Sequence, residues 1–538
     1  MLNSLIRNSD NGFIKFSTTF ISNKKFCAFI IICAFIQFLI VSIAWPVNAG
    51  RDGTNYLLVF TQIFDERPFH DFLSLYRGIL SPLIIGVLYK TESPLFILIF
   101  LSSLYTIYIF LCFYIASFFG KNVGRILPVL MLCHIDFSAS FHEVGSDFIF
   151  SFLIILWVSL LIRFHKSNSL TVYFLLGTGA MFVALSRSIG IVFVIGVLVP
   201  ILLKFDKNKL LLSASFLLGF FVIWSGISFY NHQRFGEFSP YRGQHLVLPA
   251  FKVFTQDRLF RKEHGPASLR LYKGIESHLL QMPIFKKCGI KVEHFYNPPK
   301  SNDRSLFWSL GVLSDQLWGW ESNYKTVRQA SLEAIKENFG IYLRSSLANF
   351  KSVLLRQMPF GIPKKTEKSE PVDWPISHYD LMKVPSTLKT CSRAEHMLPL
   401  LEPAPFETSR NGEFVSPVLR KYLHKRVDET FTINLPAYSG NQQLGTFLEK
   451  WFCSKYPPIL IFFILSWGLI FSVNEQNIKT LLVLVLIATV VVLIPAFGFH
   501  AEVFFRMPVD FIFLLAGVVS LSKIFIYSRR FFVSKFHV

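Results

Sequence analysis

Asp52 stands in Arg51-Asp52-Gly53-Thr54-Asn55-Tyr56, just beyond a long apolar run. His142-Glu143-Val144-Gly145-Ser146-Asp147 begins where another apolar run ends. Carboxylates at the rim of a hydrocarbon slab cost free energy, so their default reading is functional. A water-exposed Asp52 beside a membrane suits a general base taking a proton from a hydroxyl or amine. The competing reading is an N-cap for a short surface helix. The Glu143 and Asp147 carboxylates suit a divalent cation whose remaining ligands come from a substrate phosphate. They suit solvated loop charge, or for Asp147 a helix cap, equally well.

Two arginines add an anion-binding element. Arg187 separates two apolar runs in Leu185-Ser186-Arg187-Ser188, and Arg506 precedes the last run. A guanidinium at an interface fits a lipid phosphate. The alternatives are snorkelling for Arg187 and a Glu502–Arg506 pair at i,i+4 spacing for Arg506. Together a carboxylate base, an acidic pair and two arginines suit group transfer from a phosphate-bearing lipid to an acceptor outside the membrane.

These residues need elements that bring them to one face. Of 538 residues, 52% are hydrophobic and only 16% charged, and the mean hydropathy is +0.46. That composition reads as a polytopic α-helical membrane protein. Ten apolar runs, near 26–45, 94–118, 123–139, 147–163, 170–186, 188–203, 209–230, 456–473, 479–496 and 507–525, have roughly spanning length. The piece 72–89 carries Arg77 and Pro82 and reads as an interfacial helix. With Arg7, Lys15, Lys24 and Lys25 in the cytoplasm, ten crossings put the basic loops inside. The same threading puts Asp52, Glu143, Asp147, Arg187, His500, Glu502 and Arg506 outside. A crossing by 72–89 would invert everything downstream.

The organisation expected is a cytoplasmic N-terminus (1–25), a transmembrane module (26–230), an extracytoplasmic mixed domain (231–455), late spans (456–525) and a cytoplasmic tail (526–538). A cleaved signal peptide ending near Val47-Asn48-Ala49-Gly50 is the minor reading of the first run. Within 231–455, apolar spacing predicts one long amphipathic helix over 324–357. The segment 306–320 reads either as an interfacial stretch or as soluble core. The charge of +20 belongs partly to cytoplasmic loops and does not argue for nucleic acid. Of seven cysteines, Cys27, Cys33, Cys112 and Cys133 lie in apolar runs, and a Cys288–Cys391 disulfide stays open.

In order, sidedness and spacing, the motifs resemble those of the GT-C glycosyltransferases, polytopic enzymes that use polyprenyl- or dolichyl-phosphate sugars. Protein O-mannosyltransferases and the lipid A aminoarabinose transferase are relatives of that kind. Asp52 with Tyr56 matches an acidic residue and an aromatic after the first span, and 72–89 resembles a proline-bearing interfacial helix. His142, with Asp147 five residues on, resembles an Arg with its Asp. Ser186 to Gly190 resembles a Thr-Arg-Pro-Glu-Gly turn. Glu502, Arg506, Met507 and Pro508 resemble a Glu, Arg, Tyr, Pro opening of the last span. The resemblance covers 26–230, 456–525 and the helix at 324–357.

It departs at His142 and Met507, and no acidic pair beyond Asp65-Glu66 stands in these outer loops. The resemblance implies an inverting transferase of the bacterial inner membrane, its site facing outward. Asp52 would be the base, and Arg187, Arg506 and His142 would hold the donor phosphate. Glu143, Asp147, Tyr56, Glu502 and His500 would support substrate, with Asp147 and Glu143 the ligands of any Mg2+ or Mn2+. The partners implied are a polyprenyl-phosphate sugar lipid, an extracytoplasmic acceptor and membrane lipids. A polymerase or ligase using diphosphate-linked oligosaccharide is the near alternative. A transporter is less favoured, because its ionisable groups would sit near the midplane.

Overall fold

The computed structural model describes residues 24–48, 53–63, 78–203, 208–242, 247–281, 291–296, 307, 309–319, 322–356, 435, 440–472, 474–499 and 503–536. Among them the chain is helical and forms no strand beyond one isolated bridge. Six helices are long and apolar enough to cross a membrane: α1 (Lys24–Ala44), α4 (Pro94–Ser117), α7 (Ser146–Phe164), α10 (Asn208–Phe235), α17 (Gln476–Gly498) and the span Val503–Ile526 within and before α18 (Asp510–Phe536). Shorter apolar helices cover Leu80–Lys90 (α3), Leu170–Ser186 (α8), Ser188–Leu203 and Ile459–Ser472, the last opened by α16 (Ile459–Trp467). The expected run 123–139 is divided into α5 (Lys121–Cys133) and α6 (Ile135–Ser140). His134 stands at the break, and its Nδ1 accepts the Phe137 N–H at 3.4 Å, starting the second helix.

The helices run alternately up and down. Near one end Tyr105 of α4 donates to Gln37 Oε1 of α1, and Gln37 donates to Leu132 O of α5. Toward the other end Phe26 meets Phe113, and Arg125 lies over Phe26. His165 meets Asn477 at that same end, and Lys523 pairs with Glu475 there. Lys121, Arg163 and Lys479 therefore share one rim. Helix α3 begins beside Ser186, where Ser81 donates to Ser186 O at 2.6 Å. Its eleven residues rise only about 16 Å, too short for a crossing.

Close backbone approaches lock the bundle. A Cβ on Gly177 would lie 1.9 Å from Phe216 O, and one on Gly219 2.0 Å from Phe174 O. These reciprocal glycines let α8 and α10 pack backbone against backbone, the arrangement small residues permit between apolar helices.

The outer section has its own apolar core, built from residues such as Phe251, Phe254, Phe260, Leu271, Phe307, Leu310, Leu313 and Val327. Phe307, Leu310 and Leu313 are buried there, so this part of 306–320 serves as core. Helices α11 (Pro266–Ser277), α12 (Ser309–Trp318) and α13 (Lys325–Glu337) surround it. Glu333 of α13 accepts from the Ala267 and Ser268 N–H groups and the Ser268 hydroxyl, closing the start of α11. The long helix expected over 324–357 is two helices, α13 and α14 (Phe339–Leu355). Asn338, at φ −123° and ψ 30°, leaves helical geometry and turns the second onto a different face. Cys27, Cys33, Cys112, Cys133 and Cys453 are free thiols, while Cys288 and Cys391 lie outside the described residues.

Gly219→Val should force α8 and α10 apart and lower the melting temperature in detergent, at a cost of about 1–3 kcal/mol. Gly226→Ala, where an added Cβ meets nothing within 4 Å, should leave the melt unchanged.

Candidate functional site

Three chain segments converge at the rim opposite the basic one. After α1 the chain passes Pro46 and pairs with the loop before α7. Asn48 N–H donates to His142 O, and Val144 N–H donates to Asn48 O, both at 2.9 Å, forming a parallel bridge. Asn48 is four residues before Asp52, and four residues span at most about 14 Å. Asp52 itself lies outside the described residues, as do His500 and Glu502. The helix α2 (Gly53–Ile63) begins directly after Asp52. Its last carbonyls are held by α10: Arg234 donates to Gln62 O and Ile63 O, and Tyr230 to Ile63 O.

Asp147 does not cap α7, because the N-cap position falls on Gly145 and carries no side-chain bond. Its carboxylate pairs instead with the Arg187 guanidinium, across forty residues of sequence. Arg187 ends α8 in extended conformation, at φ −156°. Its guanidinium carbon lies 4.9 Å from the centre of the Phe505 ring. The second, third and last outer turns thus meet on one arginine, whose side chain is 19% exposed. The Arg187 guanidinium is thus in contact with a carboxylate and an aromatic face, and part of its side chain remains exposed.

The other expected anion binders are spent within the protein. His142 is fully buried and stacked on Phe38, with ring centroids 4.0 Å apart. Its Nδ1 lies 3.1 Å from Ser138 O and its Nε2 3.2 Å from Phe38 O. Both ring nitrogens face backbone carbonyls, so the donor-phosphate role expected for His142 is corrected to a fastening between α1 and the turn before α7. Arg506 is likewise buried. Its Nη1 donates to Val353 O at 2.6 Å and Arg356 O at 3.0 Å, and its Nε lies 2.8 Å from Asp510 Oδ1. The i,i+4 partner is Asp510, and the far side of that carboxylate lies 3.2 Å from His134 Nε2. Because His134 Nδ1 accepts a backbone N–H, Nε2 carries the proton and donates to Asp510. Arg506 thereby closes the end of α14 rather than facing an open surface. Tyr56, expected to support substrate, is 2% exposed and belongs to the core of the bundle.

A divalent cation fits Asp147 poorly. Its carboxylate already faces a guanidinium, and a cation there would meet that positive charge at contact distance. Glu143 is half-buried, and its backbone forms the bridge to Asn48. No group of three or more potential metal-ligating His, Cys, Asp or Glu side chains occurs among the described residues.

His134, Asp136 and Asp510 were not singled out in the sequence, where the first two sit inside an apolar run. The signal was there: two ionisable residues one apart in 123–139, and an Asp four residues after Arg506. Asp136 is 3% exposed in the short rim helix.

Burial lowers the His142 imidazole from its ordinary 6.5 to about 4, against the pull of the carbonyls of Phe38, Ser138 and Ala139. Between those values the unfolded chain holds more protons, so this stabilisation is complete above about pH 6.5 and is lost as pH falls toward 4. At 1.36 kcal/mol per unit it amounts to roughly 3 kcal/mol. The wild type should therefore lose more melting temperature than His142→Gln over that range, read by thermal unfolding in detergent. Arg506→Ala should cost about 3–5 kcal/mol, because it strands the buried Asp510 charge, and should lower the yield of folded protein. A residue serving only to bind phosphate would leave the melt intact. Searches for a matching family model, a similar curated protein and a similar solved structure each return no match.

Proposed function

We propose that this membrane-embedded chain is a GT-C-like glycosyltransferase that moves a sugar from a polyprenyl-phosphate carrier to an acceptor on the outer side of a bacterial inner membrane. The observation carrying this reading is the convergence on Arg187: a partly exposed guanidinium, held by Asp147 and Phe505, at the rim where Asn48 ties in the chain that leads to Asp52. Six long apolar helices and several shorter ones support a multi-pass chain, and ten crossings would put this rim outside and the lysines and arginines of the opposite rim inside.

In the proposed reaction the acceptor oxygen or nitrogen bonds to the anomeric carbon as the bond from that carbon to the phosphate oxygen breaks. The bonding pair leaves with the phosphate, and the acceptor's proton passes to Asp52. Attack opposite the leaving group inverts the anomeric centre. Arg187 holds the charge that builds on the phosphate, and Asp147 acts as its positioning residue. This sharpens the role of the acidic cluster: Asp147 orients a cation, and no step is routed through a metal.

Asp52→Asn should lower sugar transfer by roughly 10²–10⁴-fold, the usual contribution of a general base, with normal expression and melting. The readout is mass spectrometry of surface glycans and glycolipids in cells carrying the variant, the wild type or neither. Full wild-type glycosylation with Asp52→Asn would remove the base assignment. Arg187→Gln should give a glycan profile close to that of cells lacking the protein. For sidedness, a cysteine placed at Glu143 must react from outside with a membrane-impermeant maleimide, while one at Lys121 must not.

A further inference from the structure

Helix α14 is built inside out. Its inward residues combine polar side chains with Val353 and Leu354. Tyr342 donates to Phe497 O, and Asn349 exchanges hydrogen bonds with Gln256 and donates to Ala496 O at 3.3 Å. Ser345 donates to Asp257, whose carboxylate also pairs with the buried Lys252. The outward residues are apolar: Phe339 is 57% exposed, Ile341 54%, Leu347 51% and Leu355 41%. Arg344 and Lys351 are exposed between them, and α14 contains no acidic residue. In water this arrangement would expose the wrong face, since a helix on a soluble domain turns its apolar stripe to the core.

The position of α14 explains the inversion. Tyr342 meets Phe497 at the end of α17, and Val353 O and Arg356 O meet Arg506 before α18. These contacts are eleven or more residues apart along α14 and lie at one rim of the bundle, so the helix runs along that rim. Phe350 packs on Phe463 of α16 with centroids 5.6 Å apart. On α16 itself Ile461 and Ile464 are exposed, as lipid-facing residues of a membrane helix are. The outward face of α14 continues that apolar belt.

We infer that α14 lies in the membrane interface, with Phe339, Ile341, Leu347 and Leu355 in the acyl region and Arg344 and Lys351 on anionic lipid headgroups. Long basic side chains reach the headgroups from such a position, and a basic, acid-free interfacial helix prefers an anionic leaflet. Among the described residues between α10 and α16, α14 is therefore a helix set into the membrane interface beside the apolar core of that section. This holds whatever group the enzyme transfers, because it rests on the polarity and packing of α14 alone.

The test uses the full-length protein in liposomes of phosphatidylglycerol and phosphatidylcholine, with its native cysteines replaced. Spin labels are attached singly at Leu347→Cys, Leu355→Cys and, as a solvent-facing control, Leu269→Cys on α11. At 347 and 355 the oxygen collision rate should exceed that of a water-soluble nickel chelate, with the reverse at 269. A nickel excess at 347 and 355, or shielding from both reagents by another part of the chain, overturns the proposal. In the cysteine-containing wild type, native mass spectrometry should show retained phosphatidylglycerol in excess over phosphatidylcholine. R344Q/K351Q should lose that excess without a change in melting temperature, and an unchanged excess overturns the headgroup contact.

Discussion

Arg506 carries a positive charge into a nearly dry part of the molecule, and the arrangement around it follows from how that charge is satisfied. Its guanidinium takes two carbonyls from the end of α14 and one carboxylate oxygen from Asp510. Asp510, itself fully buried, needs a second partner and finds it in His134. His134 can serve only because the chain breaks between α5 and α6 at that residue. One charge thus fixes the outer helix, the start of the last span and the interruption of an early one. Removing one member leaves another charge buried without compensation, which is the costly case for ion pairs in low dielectric. The network is a fastening first.

Arg187 stands in a different environment. Both arginines have the same address in the sequence, at the outer edge of an apolar run. They differ in what surrounds them. Arg506 is 1% exposed and faces three protein oxygens. Arg187 is held by a carboxylate and a ring, among other contacts, and part of its side chain reaches solvent. An ion pair that stays partly wet contributes little to stability, of the order of 0–1 kcal/mol. Its value lies in orientation: Asp147 restricts the rotamers of a long side chain, so that less freedom is lost when an anion arrives.

The apolar runs were legible because hydrocarbon length and charge exclusion leave a strong pattern, and each long helix overlaps one of them. The legibility ended where ionisable residues inside a run changed its course. The run 123–139 hid His134 and Asp136, and Asp510, which pairs with His134, stands 376 positions away. The Asp147–Arg187 pair had no local spacing to betray it. Asn48 carried no chemical signal, yet its two backbone hydrogen bonds tie the first outer loop to the second. For 324–357 the helical period was right and the continuity was wrong, because Asn338 interrupts it. Asp52 depends on chemistry and chain position alone, since the structure describes its neighbours Asn48 and Gly53 and not the residue itself.

The inside-out polarity of α14 and the burial of Arg506 are one phenomenon. A helix that must lie along the rim needs partners on its inner side for the carbonyls at its end and for its polar side chains. The bundle supplies Arg506 at one end and the carbonyls of Ala496 and Phe497 along the rest. With its hydrogen bonds closed inward, the helix can turn leucine, isoleucine and phenylalanine toward lipid without leaving unsatisfied backbone in the hydrocarbon, the condition any element at that depth must meet. The same contacts hold α14 against the spans.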